Sequence, residues 1–422
     1  MCLAGRAVLA LTLALTLGVA RPEALTARQG SGGADTGTRG DPLTVFLVTA
    51  APGDAVWERF GHNGIWIRDE ARGEDRFWEW GLFSFRQEGF LARLARGTMR
   101  YWMGGRPLDD MLSVYRAQGR AVWAQELALT PAQERALDAF VRTNALPENA
   151  QYVYHYYLDN CSTRARDALD RVLEGALERA FAGQSTGVTW RWHTRRLLRD
   201  APLAEAGVQV VLGNPGDREI TAWEEMFLPM RMRAHLATVR IPGPDGALRP
   251  LVAHEVQLLE SRRPPEPAAP AARVLPVLAL GLLAGLVVAG LAGWGAAGSR
   301  TAIRLLGGAV LAWSLMAGLL GLVLVVAWAL TDHDFWRWNE NLLQLSPLSL
   351  AAAALAFPLL AGRQPGRALV RVLTAVAWLS AGALLLKLLP GLGQQNWEVV
   401  AVALPLHFAA AWGARRLARP SG

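Results

Sequence analysis

Tyr152 to Leu177 reads YVYHYYLDNCSTRARDALDRVLEGAL, and the fold of the first half of the chain turns on it. Tyr152, Val153, Tyr154, Tyr156 and Tyr157 are aromatic or β-branched and suit a pleated surface, so the stretch is expected to begin as a strand. Asp159-Asn160 makes the turn. From Ser162 onward, Ala165, Ala168, Leu169, Val172, Leu173, Ala176 and Leu177 recur at helical spacing. Cys161 stands at the junction, where unpaired N–H groups and the positive end of a helix dipole meet. A thiol in that place is shifted toward the thiolate, its nucleophilic form. The plainer reading of the same residue is a small hydrophobe buried under a helix.

The surrounding chain weighs on that choice. It has 422 residues, a formal charge of +7 and 52% hydrophobic residues, with the apolar excess concentrated after Arg273. An α+β soluble domain followed by an all-α membrane domain is therefore expected. Residues 1–20 read as an export signal, with Arg6 as its charge, Ala7 to Leu17 as its apolar run and Gly18-Val19-Ala20 as its cleavage site. The run is too short to span a bilayer comfortably. Of the two cysteines, Cys2 lies in that signal. Its removal would leave Cys161 as the only thiol, in an oxidising compartment where an unpaired cysteine is unusual.

Outward from the central stretch, residues 21–42 read as a flexible tether and 43–260 as the exported domain. Thr44 to Thr49 is apolar. In FGHNGIWIRD, Phe60 to Asp69, Ile65 and Ile67 alternate with Gly64, Trp66 and Arg68, which is strand spacing, and His62 stands at its start. RFWEWGLF, Arg76 to Phe83, alternates too and carries Glu79. Phe90 to Trp102 reads as a helix and a short strand, Arg120 to Leu129 as a strand. Thr130, Pro131 and Gln133 open a helix with a capping box. Gly207 to Glu225 reads as loop-rich, Phe227 to Leu236 as a helix, and 236–258 as a hairpin around Pro242 to Gly246.

Residues 261–273 form a proline-rich linker. Five apolar spans are expected within 274–414, at about 274–298, 305–330, 347–361, 369–389 and 398–413, with 415–422 as a basic tail. Arg300, Arg304, Arg363, Arg367, Arg371, Arg415, Arg416 and Arg419 fall on one side of that arrangement, which the positive-inside rule makes cytoplasmic. A cleaved signal implies the same orientation.

A cysteine nucleophile needs a base and a group to orient the base. His62 is the expected base and Glu79 its orienting group. His155 is the runner-up base, and His193 and His235 have no comparable setting. Asn160 and Trp66 are expected near the substrate. The outer loop TDHDFWRWNENLLQLSP adds His333, Asn339 and Asn341 as expected headgroup or acceptor contacts, between interfacial Trp336 and Trp338. Read as a solvated loop, the same residues do nothing. The sequence holds no CxxC, HExxH or Gly-rich phosphate loop, so no metal, cofactor or nucleic-acid partner is expected. The arginines at 191–199 fit lipid phosphate.

FGHNGIWI, DNCSTRARDALD and VVLGNPGDREITAWEEMFLP together resemble the Lnb N-terminal periplasmic domain family over about Leu43 to Leu259. That family is similar to permuted NlpC-like papain folds in which His precedes Cys. The resemblance implies a lipoprotein N-acyltransferase of the bacterial inner membrane, with Cys161 as nucleophile and His62 as base. A phospholipid would be the acyl donor and a diacylglyceryl-cysteine lipoprotein the acceptor. Two other classes stay open: a membrane-anchored cysteine peptidase or amidase of the cell wall, and a non-catalytic sensor or assembly factor.

Overall fold

The structure, a computed structural model, describes residues 43–242 and 246–418. The expected signal peptide, the tether, the tip of the 242–246 turn and Arg419 lie outside the described residues.

A seven-stranded sheet organises the first domain. Its strands are Thr44–Ala50 (β1), His62–Asp69 (β2), Glu74–Leu82 (β3), Arg100–Pro107 (β4), Val122–Leu127 (β5), Gln151–Val153 (β6) and Val252–Leu259, which is β11. Their order is β11-β5-β1-β2-β3-β4-β6, and every neighbouring pair is antiparallel. Two ribbons complete the strands: Ser185–Thr189 (β7) with Glu219–Thr221 (β8), and Arg240–Pro242 (β9) with Leu248–Pro250 (β10). The nine helices described in this domain are Phe90–Arg96 (α1), Leu108–Ala117 (α2), Pro131–Asn144 (α3), Cys161–Val172 (α4), Ala176–Phe181 (α5), Trp190–Leu197 (α6), Pro202–Val211 (α7), Ala222–Glu225 (α8) and Pro229–Leu236 (α9).

Strand alternation divides the apolar side chains between two cores. Val45, Leu47, Ile65, Ile67, Trp78 and Trp80 face α3, α4, α5 and α9. Phe46, Val48, Trp66 and Phe77 face Met111 and Tyr115 of α2. Helices lie on both faces of an antiparallel sheet, in an α+β arrangement.

Local expectations hold where a short-range signal acts. Thr130 and Gln133 form the capping box of α3, bonding each other's backbone N–H at 3.3 and 2.9 Å. The central stretch departs in two places. Only Gln151–Val153 pairs as a strand, against Arg100 to Trp102 of β4, and His155 to Asp159 then closes as a turn. The helix also breaks after Val172: Glu174 and Gly175 take φ of 53° and 80°, and a second helix starts at Ala176. The loop-rich reading of Gly207 to Glu225 missed α7, whose apolar run ends inside it.

After Arg273 come four helices long and apolar enough to cross a membrane: Val274–Ala296 (α10), Arg300–Leu330 (α11), Arg367–Leu386 and Trp397–Ala418. The expected third span is instead three short helices, Asn341–Gln344 (α12), Ser349–Leu355 (α13) and Phe357–Leu360 (α14), so the two long helices that follow are α15 and α16. Pro347 and Pro358 interrupt the backbone ladder there. This broken segment runs antiparallel to α11. Gly321 lies against Leu345, Gly318 against Leu350 and Gly307 against Leu359, and a Cβ on any of the three would fall under 3.0 Å from its neighbour. It ends at Gly362 beside Arg300 and Arg304. Those of the expected basic residues that are described are thus gathered at one end of the bundle, although only four of the five expected spans are long helices.

The opposite end of the bundle holds the first domain. A helix leaves its last carbonyls without partners, and at α7 the membrane helices' loops supply them. Asn339 Nδ2 donates to the carbonyls of Val210 and Val211, Asn341 Nδ2 to those of Gln209 and Val210, and Gln394 Nε2 to that of Leu212, at 2.8–3.0 Å. Beneath them Lys387 Nζ donates to Glu340 Oε2 at 2.6 Å and to Asn396 Oδ1 at 2.7 Å, so the buried acid is paired.

Candidate active site

His62 starts β2, Glu79 lies on β3 and Cys161 is the first residue of α4. His62 and Cys161 converge at Gly81. With φ at 93°, Gly81 occupies the region that disfavours side chains, and the Cys161 Cβ and His62 Cε1 sit 3.4 and 3.9 Å from where its own Cβ would be. A register shift in the β3–β4 pairing falls between Glu79 and Leu82, so the strand bends where the site is built.

His62 Nε2 donates to Glu79 Oε2 at 2.8 Å, which leaves Nδ1 as the ring nitrogen for the thiol. Arg106 Nη2 holds the other Glu79 oxygen at 2.7 Å. Both carboxylate oxygens are therefore fixed, and the acid is 3% exposed. Burial opposes its charge, but the His62 and Arg106 contacts outweigh burial and hold it below the usual carboxylate range.

The same competition acts on Cys161 and His62. Burial disfavours the Cys161 thiolate, but the His62 charge, the His62 hydrogen bond and the Asn63 N–H together hold the thiol below its ordinary value. Burial likewise disfavours the imidazolium. Tyr115, the Cys161 charge and the bonds to Cys161 and Glu79 overcome it and raise His62 well above the usual histidine range. The thiol is shifted down and the imidazole up, the directions that favour a thiolate–imidazolium pair.

The pair is held by its sequence neighbours. Asn63 Nδ2 donates to Ser162 Oγ at 2.9 Å, Thr49 Oγ1 donates to Asn63 Oδ1 at 2.8 Å, and Ser162 Oγ donates to the Met226 carbonyl at 2.6 Å. Asn63 and Ser162 are completely buried. One side-chain bond thus pins the residue after His62 to the residue after Cys161.

Of the residues expected to touch substrate, Asn160 caps α4. Its Oδ1 accepts from the Ser162 and Thr163 N–H groups, both at 2.9 Å, and its Nδ2 donates to the Tyr156 and Phe227 carbonyls. Asn160→Ala is expected to lower stability by about 2–4 kcal/mol, from the lost cap and two orphaned buried carbonyls. Thermal unfolding reads this out, and a loss under about 0.5 kcal/mol would show that the cap matters little. Trp66 is corrected as well: it is 4% exposed and stacked on Phe46 at 4.1 Å, in the α2-side core. Asn339 and Asn341 are occupied by the α7 carbonyls, and His333 Nε2 donates to the Leu94 carbonyl at 3.1 Å. These polar loop residues join the two halves of the chain.

His155 accepts from the Tyr157 and Leu158 N–H groups on Nδ1 and stacks on Tyr156, which fixes it in its turn. His193 and His235 both bond Glu225. Among the described residues no group of His, Cys, Asp and Glu is arranged to hold a metal.

Three contributors escaped the sequence reading. Arg106 pairs with Phe77 across the β3–β4 register and reaches Glu79 diagonally, which depends on strand pairing. Asn63 adjoins His62 and carried no signal of its own. Tyr101, Tyr152 and Tyr154 cluster where β4 meets β6, with Tyr101 paired to Tyr152 and stacked on Tyr154 at 4.1 Å. Burial raises all three phenols, Tyr101 to about 12, and the nearby Cys161 charge adds to the effect.

Residues 36–200, which carry His62, Glu79 and Cys161, match the Lnb N-terminal periplasmic domain. The match covers the N-terminal domain and supports an Lnb-type protein. No curated protein and no solved structure matches it. The match to this periplasmic domain and the four long apolar helices together fit a multi-pass membrane protein with a periplasmic N-terminal domain.

Proposed function

We propose that this Lnb-type protein is a lipoprotein N-acyltransferase of the bacterial inner membrane, with Cys161 as nucleophile, His62 as acid–base and Glu79 as the group that orients His62. The observation that carries the reading is a helix-borne thiol coupled to a strand-borne histidine, in a domain bonded to one end of a helical membrane bundle. A helix-borne cysteine preceded in sequence by a strand-borne histidine also fits the permuted papain-like relationship.

In the first half-reaction the thiolate attacks an ester carbonyl of a phospholipid. The Cys161 N–H has no hydrogen-bond partner among the described residues and is available to the oxyanion. The C–O bond breaks, His62 gives its proton to the departing lysophospholipid alkoxide, and an acyl thioester remains. In the second half-reaction the α-amino group of a diacylglyceryl-cysteine attacks the thioester. Neutral His62 takes the amine proton, and the thiolate leaves and pairs again with the imidazolium. Each half-reaction passes one proton through His62.

Mass spectrometry of lipoprotein N-termini from cells with and without this protein tests the reading. N-acylated termini in the first and free α-amino termini in the second are expected. Identical N-termini together with altered muropeptides would replace it with the wall-hydrolase reading.

A further inference from the structure

We propose that a row of aromatic rings between α1 and Cys161 is the track along which one acyl chain of a glycerophospholipid enters from the outer leaflet. The inference rests on the acyl-transfer reading and adds how the donor reaches the thiol. The β3–β4 connection reads FSFRQEGFLARLARGTM from Phe83 to Met99. A solvated connection would keep such positions polar. Here Phe85, Leu91 and Leu94 are 50%, 70% and 48% exposed, as is neighbouring Trp57 at 48%. Such a continuous apolar surface marks a binding site.

The rings form a contiguous path. Tyr154 stacks on Tyr101 at 4.1 Å and Tyr101 on Phe83 at 5.0 Å; Phe83 meets Phe85 at 4.9 Å and Phe85 meets Phe90 at 5.4 Å. At the inner end, Phe83 follows by two residues Gly81, where an added Cβ would lie 3.4 Å from the Cys161 Cβ. At the outer end, α1 is bonded to the loop that leaves α11: the Asp332 N–H donates to the Arg96 carbonyl at 2.8 Å, and Gly97 packs on the His333 ring. The track therefore joins the thiol to the level at which a membrane helix ends.

Charge identifies the occupant. Arg86, Arg93, Arg96 and Arg100 surround the exposed leucines and make no ion pair among the described residues. Apolar side chains flanked by guanidinium groups that have no carboxylate partner suit a phospholipid, with its chains buried and its phosphate at the surface.

The test is the alkylation rate of Cys161 in the full chain, in detergent micelles, by N-alkyl maleimides from methyl to hexadecyl. For wild type the rate relative to N-methylmaleimide is expected to rise about tenfold or more at hexadecyl. That ratio should fall at least about fivefold in Phe85→Ser and in Leu91→Ser, while Leu203→Ser, an exposed leucine on α7, should keep it. A ratio that does not rise with chain length in wild type, one unchanged in both track variants, or an equal fall in Leu203→Ser would overturn the track. Failure of the acyl-transfer reading would show separately, as unmodified lipoprotein N-termini with the maleimide ratio intact.

Discussion

Replacing Cys161 by alanine is expected to lower acyl transfer by about 10⁴-fold or more, with the protein still folded and membrane-inserted. Removing an attacking atom eliminates the covalent route and leaves only positioning. The variant should stay folded because the side chain is small and 9% exposed, and because the cap of α4 belongs to Asn160, Ser162 and Thr163. Cys161→Ser should also be strongly impaired. A serine hydroxyl stays protonated beside His62 and cannot keep the charge-paired ground state. Transfer of labelled acyl chain from phospholipid to a diacylated lipopeptide, in reconstituted bilayers, measures both variants. Full activity in Cys161→Ala would remove the enzyme mechanism.

His62→Ala is expected to slow both half-reactions by about 10²–10⁴-fold, since in the proposed mechanism the same imidazole protonates the leaving lysophospholipid and deprotonates the attacking amine. It should also change the thiol itself. Burial alone raises a cysteine, and in this site the His62 charge and hydrogen bond are the main forces that reverse it. Without them the pH midpoint of Cys161 alkylation should rise from below the ordinary thiol value to above it, past about 8.5. The sign is diagnostic, because a purely structural histidine would leave the midpoint in place. Arg106→Gln should act in the same direction more weakly. It frees one Glu79 oxygen and loosens the hold on His62.

The parts of this site legible in the sequence are those fixed by short-range rules. Cys161 was legible because a tyrosine-rich segment gives way there to a helical repeat. His62 was legible because alternation begins beside it, and Glu79 because alternation continues on the next strand. Arg106 was not, since its contact with Glu79 depends on the register of β3 against β4 and on a local shift in that pairing. Asn339 and Asn341 look the same in sequence whether they face a ligand or the end of a helix, and the carbonyls they satisfy lie about 130 residues earlier, on α7. Composition likewise counted the 347–361 segment as a span. Two prolines and a polar lead-in make it short helices that complete the bundle from within.

The most direct measurement uses labelled phospholipid with no acceptor present. Wild type should accumulate label on Cys161, hydroxylamine should remove it, and adding a diacylated lipopeptide should discharge it onto the peptide's α-amino group. Label that forms equally in Cys161→Ala, or that the lipopeptide cannot discharge, would contradict the thioester route.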